Sequence, residues 1–340
     1  MAMMCGTGVL RLKNYNYYYE SVRNGKADWS FHFLLKFKNM DRKRREFLKK
    51  ASIGGAGLMI APSLLKAGMN NSDMFFKISI AEWSLHKMLF AKELTNLEFP
   101  GFSKKNFDIH AVEYVNQFFK DAGKEYLTEL KSRTDDLGVE NVLIMVDAEG
   151  NLGEADDAKR QQAVENHYKW VEAAKFLGCH SIRVNARGRG TMEEVAKAAV
   201  DGLGKLSEYA SKDNIGVIVE NHGGYSSNGK WMADVIRKVD DPNCGMLPDF
   251  GNFRISGTEE YDRYLGMKEL MPFAKGVSAK SHEFDEEGNE TRSDFYKILK
   301  IVKEAGYTGY IGIEYEGRVL SEVEGVMATK RLLEKVGRSM

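Results

Sequence analysis

The sequence predicts an α/β fold, a single (β/α)8 barrel, and three observations carry that prediction. Eight short β-branched or apolar runs recur from residue 76 onward, amphipathic helical patterns fill the intervals between them, and the alternation occupies about 265 residues, the size of one such barrel. A doubly wound open sheet would want a glycine-rich turn after an early strand, and the turn after the first run reads SLHKM.

The runs are FKISIAEW (76–83), DIHAVEYV (108–115), VENVLIMV (139–146), CHSIRVNA (179–186), NIGVIVEN (214–221), CGMLPDFG (244–251), AKGVSAKS (274–281) and YTGYIGIEYEG (307–317). Between them, segments such as KEYLTELKSRTDDLG, AVENHYKWVEAAKFLG, MEEVAKAAVDGLGKLSEYA, DFYKILKIVKEAG and SEVEGVMATKRLLEKVG place apolar residues at i, i+3, i+4 and i+7, the period of a helix with one buried face. Thr191 with Glu194 fits a capping box, in which hydroxyl and carboxylate satisfy each other's orphan backbone donors. Gly138, Gly178 and Gly306 follow their helices where a left-handed residue is wanted.

Composition bounds the function. The 340 residues are 43% hydrophobic and 29% charged, with 49 basic and 49 acidic side chains, but residues 1–70 hold 13 basic and only 4 acidic groups. The remaining 270 hold 36 basic and 45 acidic, so the predicted barrel is acidic and shows no Lys/Arg cluster to oppose its repulsion of a nucleic acid backbone. Cys5, Cys179 and Cys244 form neither a disulfide framework nor a CxxC metal pattern.

Residues 42–50, RKRREFLKK, precede the apolar run ASIGGAGLMIAPSLL, which is too short to span a bilayer. Arg44-Arg45 followed by Glu46-Phe47-Leu48-Lys49 resembles the twin-arginine export motif, which implies passage of a folded protein through the twin-arginine machinery to the periplasm. The expected organisation is a non-native or disordered extension over 1–39, a signal peptide over 40–70 with Met40 as the true start, and the barrel over 71–340. Leu65-Lys66-Ala67 is a weak cleavage match, which leaves a retained N-terminal anchor open; the mature chain is expected to have no transmembrane span.

In a (β/α)8 barrel the C-terminal strand ends converge on one mouth. Glu220 ends VIVE, Asp249 ends MLPD, Glu314 ends IGIE, and His282 follows SAKS, so four ligand-type side chains fall on strands five to eight. Three uncompensated carboxylates in one mouth would repel one another, and a divalent metal removes the conflict. Around these four, His222 and Lys280 are candidates to meet substrate oxygens, Asn185 and Glu113 reach the same expected mouth, and Trp83 offers a flat apolar face for a sugar ring. GYSSNGKW (224–231) and HEFDEEGNET (282–291) are polar loops suited to close over a ligand.

The order Glu, Asp, His, Glu within VENHGG, LPDFGN, VSAKSH and YIGIEYEG resembles the xylose isomerase-like TIM barrel superfamily, in particular its sugar isomerase and epimerase branch related to tagatose and psicose 3-epimerases. The resemblance covers residues 76–335 and implies one Mn2+, Mg2+, Co2+ or Zn2+ held by Glu220, Asp249, His282 and Glu314. It also implies that Glu220 and Glu314 act as the acid/base pair shuttling a proton through a cis-enediolate. Two departures stand out. Asn252 occupies the place of a sugar-contacting histidine, and Ser278 precedes Lys280 where the family often has His-x-Lys, so either His282 takes over as ligand or the third ligand is missing.

The sequence therefore favours a metal-dependent isomerase or epimerase acting on a free ketose, aldose or sugar derivative. A dehydratase or lyase acting on a keto-inositol or oxidised sugar would share the ligands, and a periplasmic carbohydrate-binding protein would retain the pocket with a degenerate site. An apurinic-site endonuclease would need a multi-zinc cluster and a cationic groove, for which residues 71–340 offer too few histidines. Neither the sugar nor the oligomeric state is specified, and a homo-oligomer is compatible with the sequence.

Overall fold

The computed structural model describes residues 74–340; the predicted extension (1–39) and twin-arginine segment (40–70) lie outside the described residues. Eight parallel strands, β1 (Lys77–Ala81), β2 (Ala111–Val115), β3 (Glu140–Met145), β4 (Ser181–Val184), β5 (Gly216–Glu220), β6 (Cys244–Leu247), β7 (Val277–Ser281) and β8 (Tyr310–Tyr315), form one sheet in the order β6-β5-β4-β3-β2-β1-β8-β7. The circle closes between β6 and β7 through the isolated bridges Met246↔Ala274 and Asp249↔Ser278 rather than a continuous ladder. Pro248 is the reason: it has no N–H to donate, so β6 stops at Leu247, short of the run expected to 251. The result is a (β/α)8 TIM barrel, as the spacing predicts.

Eight principal helices cover the sheet: α1 (Phe99–Phe107), α2 (Lys124–Leu137), α3 (Asp157–Leu177), α4 (Met192–Ser211), α5 (Gly229–Val239), α6 (Arg263–Leu270), α7 (Phe295–Glu304) and α8 (Glu322–Arg338). The Thr191/Glu194 capping box forms at the start of α4, and a second, Ser321/Glu324, starts α8. Gly138 and Gly178 cap α2 and α3 at φ of 61° and 83°, the left-handed region where a side chain is strained.

One apolar core lies between strands and helices, including Ile80, Tyr114, Ile144, Val219 and Ile313, each fully buried. Burying such an aliphatic side chain stabilises the fold by roughly 1.5–3 kcal/mol. A smaller cluster, Ala81, Ala111, Val115, Leu143, Met145, Ile218 and Leu247, plugs the barrel's interior. Alternation along the strands sets polar side chains on the same inward face.

At the end of β1 the chain turns into a 3-10 helix, Glu82–Leu85, instead of continuing as strand to 83. Glu82 is enclosed there; its Oε2 accepts the Val115 N–H (2.9 Å) and its Oε1 accepts from Asn96 Nδ2 (2.9 Å), while Asn96 Oδ1 accepts from Tyr126 (2.8 Å). These bonds fasten β1 to β2 and α2. Burial pushes the Glu82 carboxyl up to about 8.

Candidate functional site

Strands β5, β6 and β8 deliver Glu220, Asp249 and Glu314 to one place, where one oxygen of each lies within 4.8 Å of the others; all three are buried. Asp249 is oriented by its own turn: Oδ1 accepts the N–H groups of Gly251 (2.8 Å) and Asn252 (2.7 Å). Asn252 donates from Nδ2 to Glu220 Oε1 (2.9 Å) and accepts from Lys280 Nζ on Oδ1 (3.2 Å), so it links carboxylate to ammonium. Ser278 Oγ lies 2.7 Å from Asp249 Oδ2 and 3.0 Å from Glu314 Oε2.

Two cations face these acids. Lys280 Nζ is 3.2 Å from Glu314, 3.4 Å from Glu316 and 4.0 Å from Asp249. Arg183, on β4, sets Nη1 3.0 Å from Asp147 and Nε 2.9 Å from Glu220 Oε2. That last approach is close but misaligned, so neither Arg183 Nε nor Glu220 Oε2 has a hydrogen bond although both are buried.

The electrostatics follow. Burial pushes the Glu220 carboxyl up to about 7 against the pull of Arg183, and Asp249 up to about 8 against the pull of Lys280. Burial works against the Lys280 charge, but Glu314 and Asp249 outweigh it and hold the ammonium ionised. Asp147 is also opposed by burial, yet Arg183 keeps it below the usual carboxylate range. His222 is driven down to about 4 by burial and then by Arg183, so its imidazole is neutral.

Glu220, Asp249 and Glu314 are buried together, and the two cations beside them are shared with further acids, Arg183 with Asp147 and Lys280 with Glu316. Three carboxylates from three strands with oxygens this close fit the oxygen-donor set of a divalent ion.

His282, expected as a fourth ligand, does not stand with the three carboxylates. It shares a face with Ser278 and Lys280 but lies past the end of β7, whereas Ser278 is the residue bridged to Asp249 and level with Gly312. Glu113 is buried, accepts from Ser79 on Oε1 (2.5 Å) and presses against Gly312, one inward-facing position deeper than Glu314. Burial pushes it up to about 8.

A cavity of about 520 Å3 opens beside Glu314 and is lined by Trp83, Asp147, Arg183, Asn185, Arg187, His222 and Glu316 among others. Asn185 donates to Asp147 (2.7 Å), which leaves its Oδ1 to receive His222 Nδ1 (2.9 Å). Trp83 stacks on His86, with ring centroids 4.9 Å apart, and packs against Phe90 and Phe118. Arg183, Asp147 and Arg187 are absent from the sequence reading. Arg183 was findable, since it precedes Asn185 by two and so shares its inward face.

Comparison with known proteins places this geometry. A family model described as a xylose isomerase-like TIM barrel matches residues 105–336. Among solved structures, a D-tagatose 3-epimerase-like protein aligns at TM-score 0.58 and 18% identity over 77% of this chain and 97% of its own. An L-ribulose 3-epimerase aligns at 0.61 and 14% over 78% and 95%. The IOLI protein, solved with a zinc atom, aligns at 0.61 and 16% over 78% and 99%. A search of curated protein sequences found no match. The family model covers well over half of the sequence and the strand order agrees with it, so this chain belongs to the xylose isomerase-like TIM barrel family.

Proposed function

We propose that the protein is a divalent-metal-dependent sugar isomerase or epimerase acting on a free ketose, aldose or sugar derivative. The observation that carries this reading is the convergence of Glu220, Asp249 and Glu314 within 4.8 Å beside an open polar cavity. Family membership supports it, as do fold relatives whose names are those of sugar epimerases.

Glu220, Asp249 and Glu314 would hold the ion, which when bound supplies polarisation of the sugar's carbonyl and hydroxyl oxygens. Glu220 and Glu314 then form the acid/base pair. Glu220, buried beside Glu314, is placed to take a proton from carbon next to a carbonyl and give it back. Lys280 stays charged and faces the oxygen on which negative charge develops. Asn185, His222 and Asn252 supply hydrogen bonds to substrate hydroxyls, with His222 accepting through Nε2 because Nδ1 is engaged by Asn185. Trp83 forms an apolar wall against which a sugar ring can lie.

The test is exchange of solvent tritium into a ketose. Glu220→Gln and Glu314→Gln should each abolish it, and wild-type exchange persisting in both variants overturns the assignment. Product mass separates isomerisation from the dehydratase alternative, which loses one water.

A second reading, a carbohydrate-binding protein without turnover, is favoured by one observation: Lys280 already pairs with Glu314, and no imidazole stands with the carboxylates. Metal-free, inert protein that still binds sugar would establish it. We also propose periplasmic export on the strength of Arg44-Arg45, to be tested by N-terminal sequencing of the mature protein. Among the described residues no helix is long and apolar enough to cross a membrane.

A further inference from the structure

We propose that the carboxylate cluster is an oxygen-only cation site that accepts magnesium or manganese without the usual advantage of zinc, and that Ser278 sets this preference. The inference rests on the metal-dependent reading above and adds which ions the site takes.

Two uncharged side chains, Ser278 and Asn252, bond directly to the cluster. Ser278 Oγ stands between Asp249 Oδ2 and Glu314 Oε2 at 2.7 and 3.0 Å. A hydroxyl has one proton, so it can donate to only one of these oxygens at a time; the other contact is left for a cation or a second proton to satisfy. Asn252 donates one Nδ2 proton to Glu220 and accepts from Lys280 on Oδ1, which leaves a second proton and a second lone pair for a substrate hydroxyl. Glu220 Oε2 is buried and stands 2.9 Å from Arg183 Nε without an aligned hydrogen bond.

Among the described residues no imidazole or thiolate joins the three carboxylates. Among the described residues neither His222 nor His282 joins the group, and His222 Nδ1 is held by Asn185. Zinc gains over manganese and magnesium where imidazole or thiolate contributes to the site, while carboxylate, hydroxyl and water donors suit the harder ions. Ser278 is the position at which one change would reverse this. It is level with Gly312 on β8 and bridged to Asp249, so an imidazole there would stand between the two carboxylates.

The experiment titrates metal-stripped protein with Mn2+, Mg2+ and Zn2+ by calorimetry, in the wild type and in Ser278→His. The wild type should bind Mn2+ with Zn2+ no more than about tenfold tighter, and Ser278→His should raise the zinc affinity by about tenfold or more while leaving Mn2+ nearly unchanged. X-ray absorption of zinc-loaded wild type, which needs no variant to fold, should show no imidazole outer-shell scattering. A wild-type preference for zinc by several orders of magnitude, or imidazole scattering, overturns the oxygen-only assignment and leaves metal dependence standing. Failure of all three ions to bind overturns metal dependence itself.

Discussion

Arg183 is the side chain whose removal should cost the barrel most for a single polar contact. Replacing it by methionine keeps the length and apolar stem but deletes the guanidinium that stands 2.9 Å from Glu220 and 3.0 Å from Asp147. The two partners are not equivalent. Asp147 keeps the Asn185 amide at 2.7 Å, and its side chain is 21% exposed, so water and that amide cover much of the loss. Glu220 is 1% exposed, so beyond the Asn252 amide on its other oxygen it has no water to turn to. Stranding one member of a buried ion pair costs about 3–5 kcal/mol, which for a domain of this size corresponds to a fall in Tm of about 6–20 °C. The cost has a definite pH dependence. Without Arg183 the Glu220 proton affinity rises further, so the folded variant holds its proton where the unfolded chain has released it, and stability drops as pH rises. The gap between variant and wild type should therefore be wider at about pH 8.5 than at about pH 6. Thermal melts followed by circular dichroism give the single-variant values. Adding Glu220→Gln to Arg183→Met removes the stranded charge and should recover about 1–3 kcal/mol. A loss below about 1 kcal/mol in the single variant, or strict additivity in the double, refutes the argument that Glu220 depends on Arg183.

Glu82 offers a second pH test away from the mouth. Its folded proton affinity is raised to about 8 by burial, so its contribution to stability is complete below about pH 4.5, falls as pH rises and is lost once pH has passed about 8. Each tenfold change in proton affinity is worth about 1.4 kcal/mol. Glu82→Gln keeps a neutral hydrogen-bonding group there once the Asn96 amide turns over, and should flatten this part of the profile; urea midpoints across that range measure it, and an unchanged slope counts against a protonated Glu82. At Gly312, an added Cβ would lie 2.5 Å from both carboxylate oxygens of Glu113, which is enclosed and cannot swing aside. Gly312→Ala should cost about 1–3 kcal/mol by overpacking, and pairing it with Glu113→Ala should restore most of that loss in denaturant unfolding; a double variant no more stable than the single would show that the crowding is elsewhere.

The features legible in the sequence were those written in short-range pattern. Strand spacing, the Thr191/Glu194 box and the glycines after helices are local devices, and they read off directly. The positions of Glu220, Asp249 and Glu314 were also legible, because an acid at a strand's end needs only the strand to be placed. His282 shows the boundary of that reasoning. Parity gave its face correctly, but its level along β7 depends on how β7 is staggered against Asp249 and β8, and stagger is a pairwise quantity that a lone strand does not encode. The depth of Glu113 below Glu314 is set by the same stagger. Parity puts Arg183 on the inward face, but its role depends on the acid of the neighbouring strand, and Glu220 lies 37 positions downstream.

Because Pro248 interrupts the ladder, the barrel is stitched rather than zipped along one line, where Lys275, Ser278 and Phe250 donate to Met246, Pro248 and Ser278. Asp249 sits on one lip of that stitching, with Ser278 and Glu314 across it on the other. Anything gripped by Asp249 and Glu314 together thus acts as a clasp across the line along which the cylinder would first part. Occupancy and mechanical integrity become one property: hydrogen exchange at the Ser278 and Phe250 amides should slow when the clasp is filled and quicken when it is emptied.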